Sequence, residues 1–143
     1  NMRAGTENVY GIAGFAKALE LATASYAEDS KAIKENKLYL AEQFKKHIKD
    51  VTFNGDAFGK SLYTVLNISI PKTERSEMLL FNLDINNICA SGGSACTSGA
   101  DQGSHVIRAI NNDPNKVAVR FSLCRNNTKE EIDILVEKMK ELV

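Results

Sequence analysis

Residues Ser91-Gly92-Gly93-Ser94-Ala95-Cys96-Thr97-Ser98-Gly99 pack three glycines, three serines, a threonine and a cysteine into nine positions. The run has almost no side-chain bulk to bury, so it cannot be core, and every strand and helix must be arranged around it. Ordering glycine costs conformational entropy, so a mobile surface loop is expected. A structural cysteine prefers burial, whereas Cys96 stands in the middle of this run, where another molecule can reach it. The pattern suits a nucleophile that travels to its chemistry. The alternative reading is a plain surface thiol in a linker.

The flanking sequence has strong periodicity. From 9 to about 27, Ile12, Phe15, Leu19 and Ala22 recur at helical spacing. Gly11 and Gly14 weaken helix propensity there and leave room for another element to approach closely. A second helical pattern from about 29 to 49 carries Ile33, Leu38, Leu40, Ala41, Phe44 and Ile48 as an apolar stripe. The two patterns read as one bent helix or as a pair. A short strand at 51–53 ends in the turn Asn54-Gly55-Asp56. Alternation marks a strand within 61–70, stopped by Pro71.

A short helix is expected over 76–83, capped by Thr73 or Ser76, then a strand over 86–90 that enters the glycine-serine loop. Past the loop, Ser104 heads a short helix over 104–110, with Val106, Ile107 and Ile110 expected to face inward. A strand over 117–123 follows, and Thr128-Lys129-Glu130-Glu131 is a capping box. The helix behind it presents Ile132, Leu135, Val136 and Met139 on one face. The fold class is α+β: a small antiparallel-containing sheet of three to four strands packed on helices, preceded by a long helix or helix pair. At 143 residues the chain reads as one domain, 1–143. It runs almost at once into a helix with no strand before it, so a preceding segment of a larger protein is expected.

Eighteen basic residues balance eighteen acidic ones, so no net field favours nucleic acid or an anionic membrane. No apolar run approaches the roughly 18 residues of a membrane span. Three cysteines without a C-x-x-C pair fit a reducing cytosol better than a disulfide scaffold, and match no usual zinc spacing. A cytoplasmic, metal-free protein is expected.

Three candidates carry chemistry. A thiol with pKa near ~8.5 reacts as its thiolate, which helix N-termini and nearby cations favour. Cys96 lies upstream of the helix beginning near Ser104, and that helix carries Arg108. Arg120 sits in mid-strand, where a guanidinium could hold a substrate carboxylate in a fork. It could equally be a solvent-facing residue, because Ala118, Arg120 and Ser122 share one face. Thr6, in Arg3-Ala4-Gly5-Thr6-Glu7-Asn8, could offer a hydroxyl to an anion at a helix start, or Thr6 or Asn8 could simply cap that helix. His105 reads as a helix-surface residue, Cys89 as buried and inert, and Cys124 as ambiguous.

These segments, in this order, with Ser104-His105-Val106-Ile107-Arg108-Ala109 and Val119-Arg120-Phe121-Ser122-Leu123, resemble the C-terminal third of a NifS/IscS-type cysteine desulfurase of the class V aminotransferase group. The similarity spans essentially the whole chain. It implies a pyridoxal phosphate enzyme that takes sulfur from L-cysteine, leaves L-alanine, and passes a persulfide to a sulfur-acceptor or scaffold protein for iron–sulfur clusters or other sulfur transfer. The resemblance makes Cys96 the persulfide carrier and Arg120 the residue that binds the substrate carboxylate. It makes Thr6 the contact to the cofactor phosphate of the neighbouring subunit in a homodimer. Cys124 departs from the family's usual glycine. The family's lysine motif for the cofactor, Ser-x-His-Lys, does not occur in this sequence. The large cofactor-binding domain is thus expected to lie outside this chain, which alone would be inactive. A selenocysteine lyase, another class V relative, or a non-enzymatic sulfur-carrier or scaffold-binding module are the alternatives.

Overall fold

The computed structural model describes residues 4–93, 104–110 and 113–143. Arg3 and residues 94–103, Cys96 among them, lie outside the described residues.

The two N-terminal helical patterns form one helix, α1 (Val9–His47). No glycine or proline falls between 15 and 54 to interrupt it. Asn8 caps its start, accepting a hydrogen bond from the Gly11 amide at 3.1 Å. A Cβ on Gly11 would sit 2.6 Å from the Asn8 side chain, so this glycine serves the cap itself. Nothing lies within 4 Å of a Cβ built on Gly14. At ~1.5 Å per residue, the 39-residue helix is about 58 Å long. Only its second half is buried, through Ile33, Lys37, Leu40, Ala41 and Phe44. Its first half exposes Tyr10, Ile12, Phe15 and Leu19.

Strands β1 (Thr52–Phe53), β2 (Val65–Pro71) and β3 (Lys116–Ser122) form an antiparallel sheet in that order. Among the described residues the sheet thus has three strands. Alternation sends Leu66, Ile68 and Ile70 of β2 and Val119 and Phe121 of β3 to one face, where all are buried. There they meet Leu40 and Phe44 of α1 and the apolar stripe of α5 (Lys129–Leu142), formed by Ile132, Leu135, Val136 and Met139. The α5 capping box is complete in both directions between Thr128 and Glu131. Asn67 and Arg120, register partners across β2 and β3, share the opposite face.

Between β2 and β3 the expected helix divides at Met78 into α2 (Glu74–Glu77) and α3 (Leu79–Ile85), with Thr73 and Ser76 capping α2 reciprocally. Two expectations are corrected here. The segment 86–90 is not a strand, and Cys89 is exposed. The amides of Asn86, Asn87 and Ile88 all turn back to carbonyls of Leu83 and Asp84, with Asn87 at φ +59°. The chain is occupied in ending α3 until Ile88, so cross-strand bonding begins only at Ser91. In α4 (His105–Ile110), Val106 and Ile110 are exposed and only Ile107 is half-buried. The three share one face, but none of them packs against the core of the described residues, so that face stays largely open.

Lys37 is 3% exposed. Its ammonium donates to Ser61 Oγ at 2.7 Å and the Leu62 carbonyl at 2.8 Å. Burial pushes its pKa below the ordinary lysine value, with the Asp56 charge opposing. Ser61 and Leu62 are exposed residues that water can serve, so little is lost when the buried charge is removed. Lys37→Met is expected to change stability by less than about 1 kcal/mol in urea denaturation. A loss several times larger would make the ammonium clamp indispensable to the fold.

Candidate functional site

Arg120 is exposed, while its strand neighbours Val119 and Phe121 are buried. The apolar side of β3 is anchored in the core, and the guanidinium stands on the open side of the sheet. No carboxylate pairs with it among the described residues. An unpaired guanidinium on a firmly held strand can take up a carboxylate without a competing acid.

The segment that enters the cysteine loop is fixed to this same residue. Ser91 N donates to Arg120 O at 3.1 Å, and Arg120 N donates to Ser91 O at 2.7 Å. Cys96 is therefore five residues beyond a backbone bridge to Arg120. Gly92 and Gly93 have local reasons to be glycine. A Cβ at Gly92 would meet Leu80 Cδ1 at 2.8 Å and the Ala118 carbonyl at 3.4 Å, so the bare backbone passes between α3 and β3. Gly93 has φ +73°, in the left-handed region that turns the chain out of strand geometry.

Thr6 is exposed two residues before the α1 cap. From Val9 to Ile33, where α1 enters the core, the helix runs about 36 Å. Along α1, Thr6 thus lies far from the core that carries β3 and Arg120. His105 lies on the surface of α4, as expected, and Cys124 is exposed in the turn after β3, its amide donating to Asn127 Oδ1 at 2.8 Å.

A groove of ≈ 490 Å³ lies between the segment 86–89, the end of β3 and α5. Phe121, Leu123 and Leu135 line it, with Cys89, Ser122 and Asn127 among its polar residues, but neither Arg120 nor any lysine does. Lys37, the one buried lysine among the described residues, is engaged elsewhere. The described residues thus fit a carboxylate at Arg120 but do not build a seat for the aldehyde of pyridoxal phosphate. No group of His, Cys, Asp and Glu suited to a metal ion occurs among them. No described helix is long and apolar enough to cross a membrane.

A long lead helix, an antiparallel sheet and an arginine bridged to a cysteine-bearing loop place the molecule in a class that comparison with known proteins confirms. Residues 1–135 match the family described as aminotransferase class-V, and the chain belongs to that family. Within it, the chain is similar to a cysteine desulfurase of Nostoc sp., 41% identical over 145 residues that cover 99% of this chain and 35% of the relative. It is also similar to the cysteine desulfurase IscS of Dictyoglomus turgidum, 36% identical over 100% of this chain and 36% of the relative. The structure of a NifS-like protein from Rickettsia africae superimposes with a TM-score of 0.76 at 31% identity, covering 98% of this chain and 36% of that one. The chain spans about a third of the length of the relatives it matches.

Proposed function

We propose that this chain is the sulfur-carrying, carboxylate-binding part of a cysteine desulfurase. The observation that carries the reading is Arg120: an exposed guanidinium with no acid partner among the described residues, bridged through Ser91 to the segment that leads to Cys96. The similarity to named cysteine desulfurases supports it.

In this reading Arg120 holds the carboxylate of L-cysteine, which fixes the substrate at one end. The Cys96 thiolate attacks the substrate sulfur, and the carbon–sulfur bond breaks. The electron pair of that bond stays with carbon, which takes a proton and leaves as L-alanine. The sulfur remains as a persulfide on Cys96. L-cysteine and one enzyme thiol thus become L-alanine and one enzyme persulfide, with no external oxidant. Pyridoxal phosphate supplies the electron sink that makes such a bond breakable, and its aldehyde is held by another part of the full-length protein. Thr6 serves the cofactor phosphate of a partner subunit, consistent with its distance from Arg120 in this chain. The exposed apolar half of α1 packs against the rest of the dimeric protein. The persulfide passes to an acceptor or scaffold protein in the cytoplasm, for iron–sulfur assembly or another sulfur-transfer route.

Incubating the full-length protein with L-cysteine should yield L-alanine and a Cys96 peptide heavier by one sulfur in mass spectrometry. Absence of both products would remove the activity. Arg120→Ala should raise the KM for L-cysteine by about thirtyfold or more, because a charge-assisted fork is lost. An unchanged KM would return Arg120 to an ordinary surface role.

A further inference from the structure

Asn67 is placed beside Arg120 more closely than register alone requires. At the two ends of the β2–β3 ladder, Leu123 N donates to Thr64 O at 2.8 Å and Lys72 N donates to Asn115 O at 2.7 Å. Hydrogen-bonded pairs recur every second residue, so Leu66 with Phe121 and Ile68 with Val119 are also of that kind. Asn67 with Arg120 falls between them, in the class whose Cα atoms approach to ~4.5 Å and whose side chains lie closest. The backbone agrees: Asn67 O accepts from Asn54 N at 3.0 Å, on the β1 side, while Arg120 exchanges its bonds with Ser91.

The Asn67 carboxamide is held in one orientation. Its Oδ1 accepts from Asn54 Nδ2 at 2.7 Å, and the same Nδ2 donates to Ser69 Oγ at 2.8 Å. The carbonyl end of Asn67 is thus engaged toward β1, which leaves its NH2 end as the donor still open, without a partner among the described residues. Asn54 holds this arrangement at a cost, because its own Oδ1 is buried with no partner among the described residues. An orphaned acceptor costs roughly 1–3 kcal/mol, so the network is a poor device for stability alone. Fixing a donor beside a guanidinium is a use that accounts for it.

We propose that Asn67 is a second substrate-binding residue, giving an amide N–H to the same α-carboxylate that Arg120 holds, with Asn54 as its positioning residue. This rests on the assignment of Arg120 to the substrate carboxylate. Together the two side chains present three N–H donors from one sheet face, and a carboxylate accepts all three. A neutral amide or ester offers a single carbonyl oxygen and no charge, so the pair selects α-amino acids over their amides.

The test measures binding of L-alanine and of L-alaninamide to the full-length protein by titration calorimetry. Asn67→Ala should weaken L-alanine about tenfold, the loss of one hydrogen bond to a charged group, and leave L-alaninamide unchanged. Asn67→Asp keeps the side-chain shape and the acceptor for Asn54, so it covers the case in which the alanine variant fails to fold. It should weaken L-alanine further still, by placing like charge beside the carboxylate. Unchanged L-alanine binding in Asn67→Asp, or equal weakening of both probes, overturns the proposal. Arg120→Ala separates the two layers. If it weakens L-alanine while the Asn67 variants do not, Asn67 alone is excluded; if it has no effect, the carboxylate assignment falls and Asn67 falls with it.

Discussion

Replacing Cys96 with serine in the full-length protein should cut sulfur release by at least about a thousandfold, with cofactor and L-cysteine binding retained. A serine hydroxyl stays protonated at neutral pH and is a poor acceptor of sulfur, whereas a thiol near pKa ~8.5 already supplies some thiolate. Binding should survive because Arg120 and the apolar face of β3 are untouched by the change. The measurement is L-alanine formation beside the absorbance of the bound cofactor. This chain contains two further thiols, Cys89 and Cys124, both exposed, so the control is isotopically labelled L-cysteine followed by peptide mapping. Near-normal L-alanine release by Cys96→Ser, with label on Cys89 or Cys124, would move the nucleophile to that residue.

Much of the fold could be read from local chemistry. The Thr128–Glu131 box, the alternation in β2 and β3 and the stripe of α5 depend only on neighbours within a turn or a strand, and all formed as their patterns dictate. Helix α1 was half-legible. Glu28-Asp29-Ser30 has the chemistry of a cap, but nothing there breaks the helix, so propagation wins over a possible new start. Cys89 was misread because Asn-Asn-Ile-Cys-Ala alternates like a strand, while the amides needed for pairing are spent on the end of α3. Composition alone linked the glycines before Cys96 to mobility; the structure gives Gly92 a close backbone passage and Gly93 a left-handed turn.

The site was legible only residue by residue. Arg120 stood out as a charge between two apolar neighbours, but sequence could not say whether an acid would meet it. Its juxtaposition with Asn67 and Ser91 was hidden, because it follows from a register between segments 53 residues and 29 residues distant in the chain (120 − 67 and 120 − 91). Asn67 gave no signal by itself, since an asparagine within an alternating strand is ordinary on an open face.

The largest loss of stability is expected at Phe44. Its side chain is 0% exposed and its ring lies 5.4 Å from that of Phe121. Phe44→Ala removes most of that volume from the seam between α1 and β3, which is worth about 3–5 kcal/mol. Against a total of about 5–15 kcal/mol for a typical domain, this is a large share, and thermal unfolding should show it directly. Phe121 is also the residue behind Arg120 on β3, so the same cavity loosens the strand that holds the guanidinium. Phe44→Leu retains more of the volume and should keep the protein folded. In that variant the KM for L-cysteine should rise while the stability loss stays under about 2 kcal/mol. A variant that is destabilised but binds L-cysteine normally would show that the backbone bonds of Arg120 to Ser91, with the pairing of its neighbours Val119 and Phe121 to β2, fix the site without help from the core.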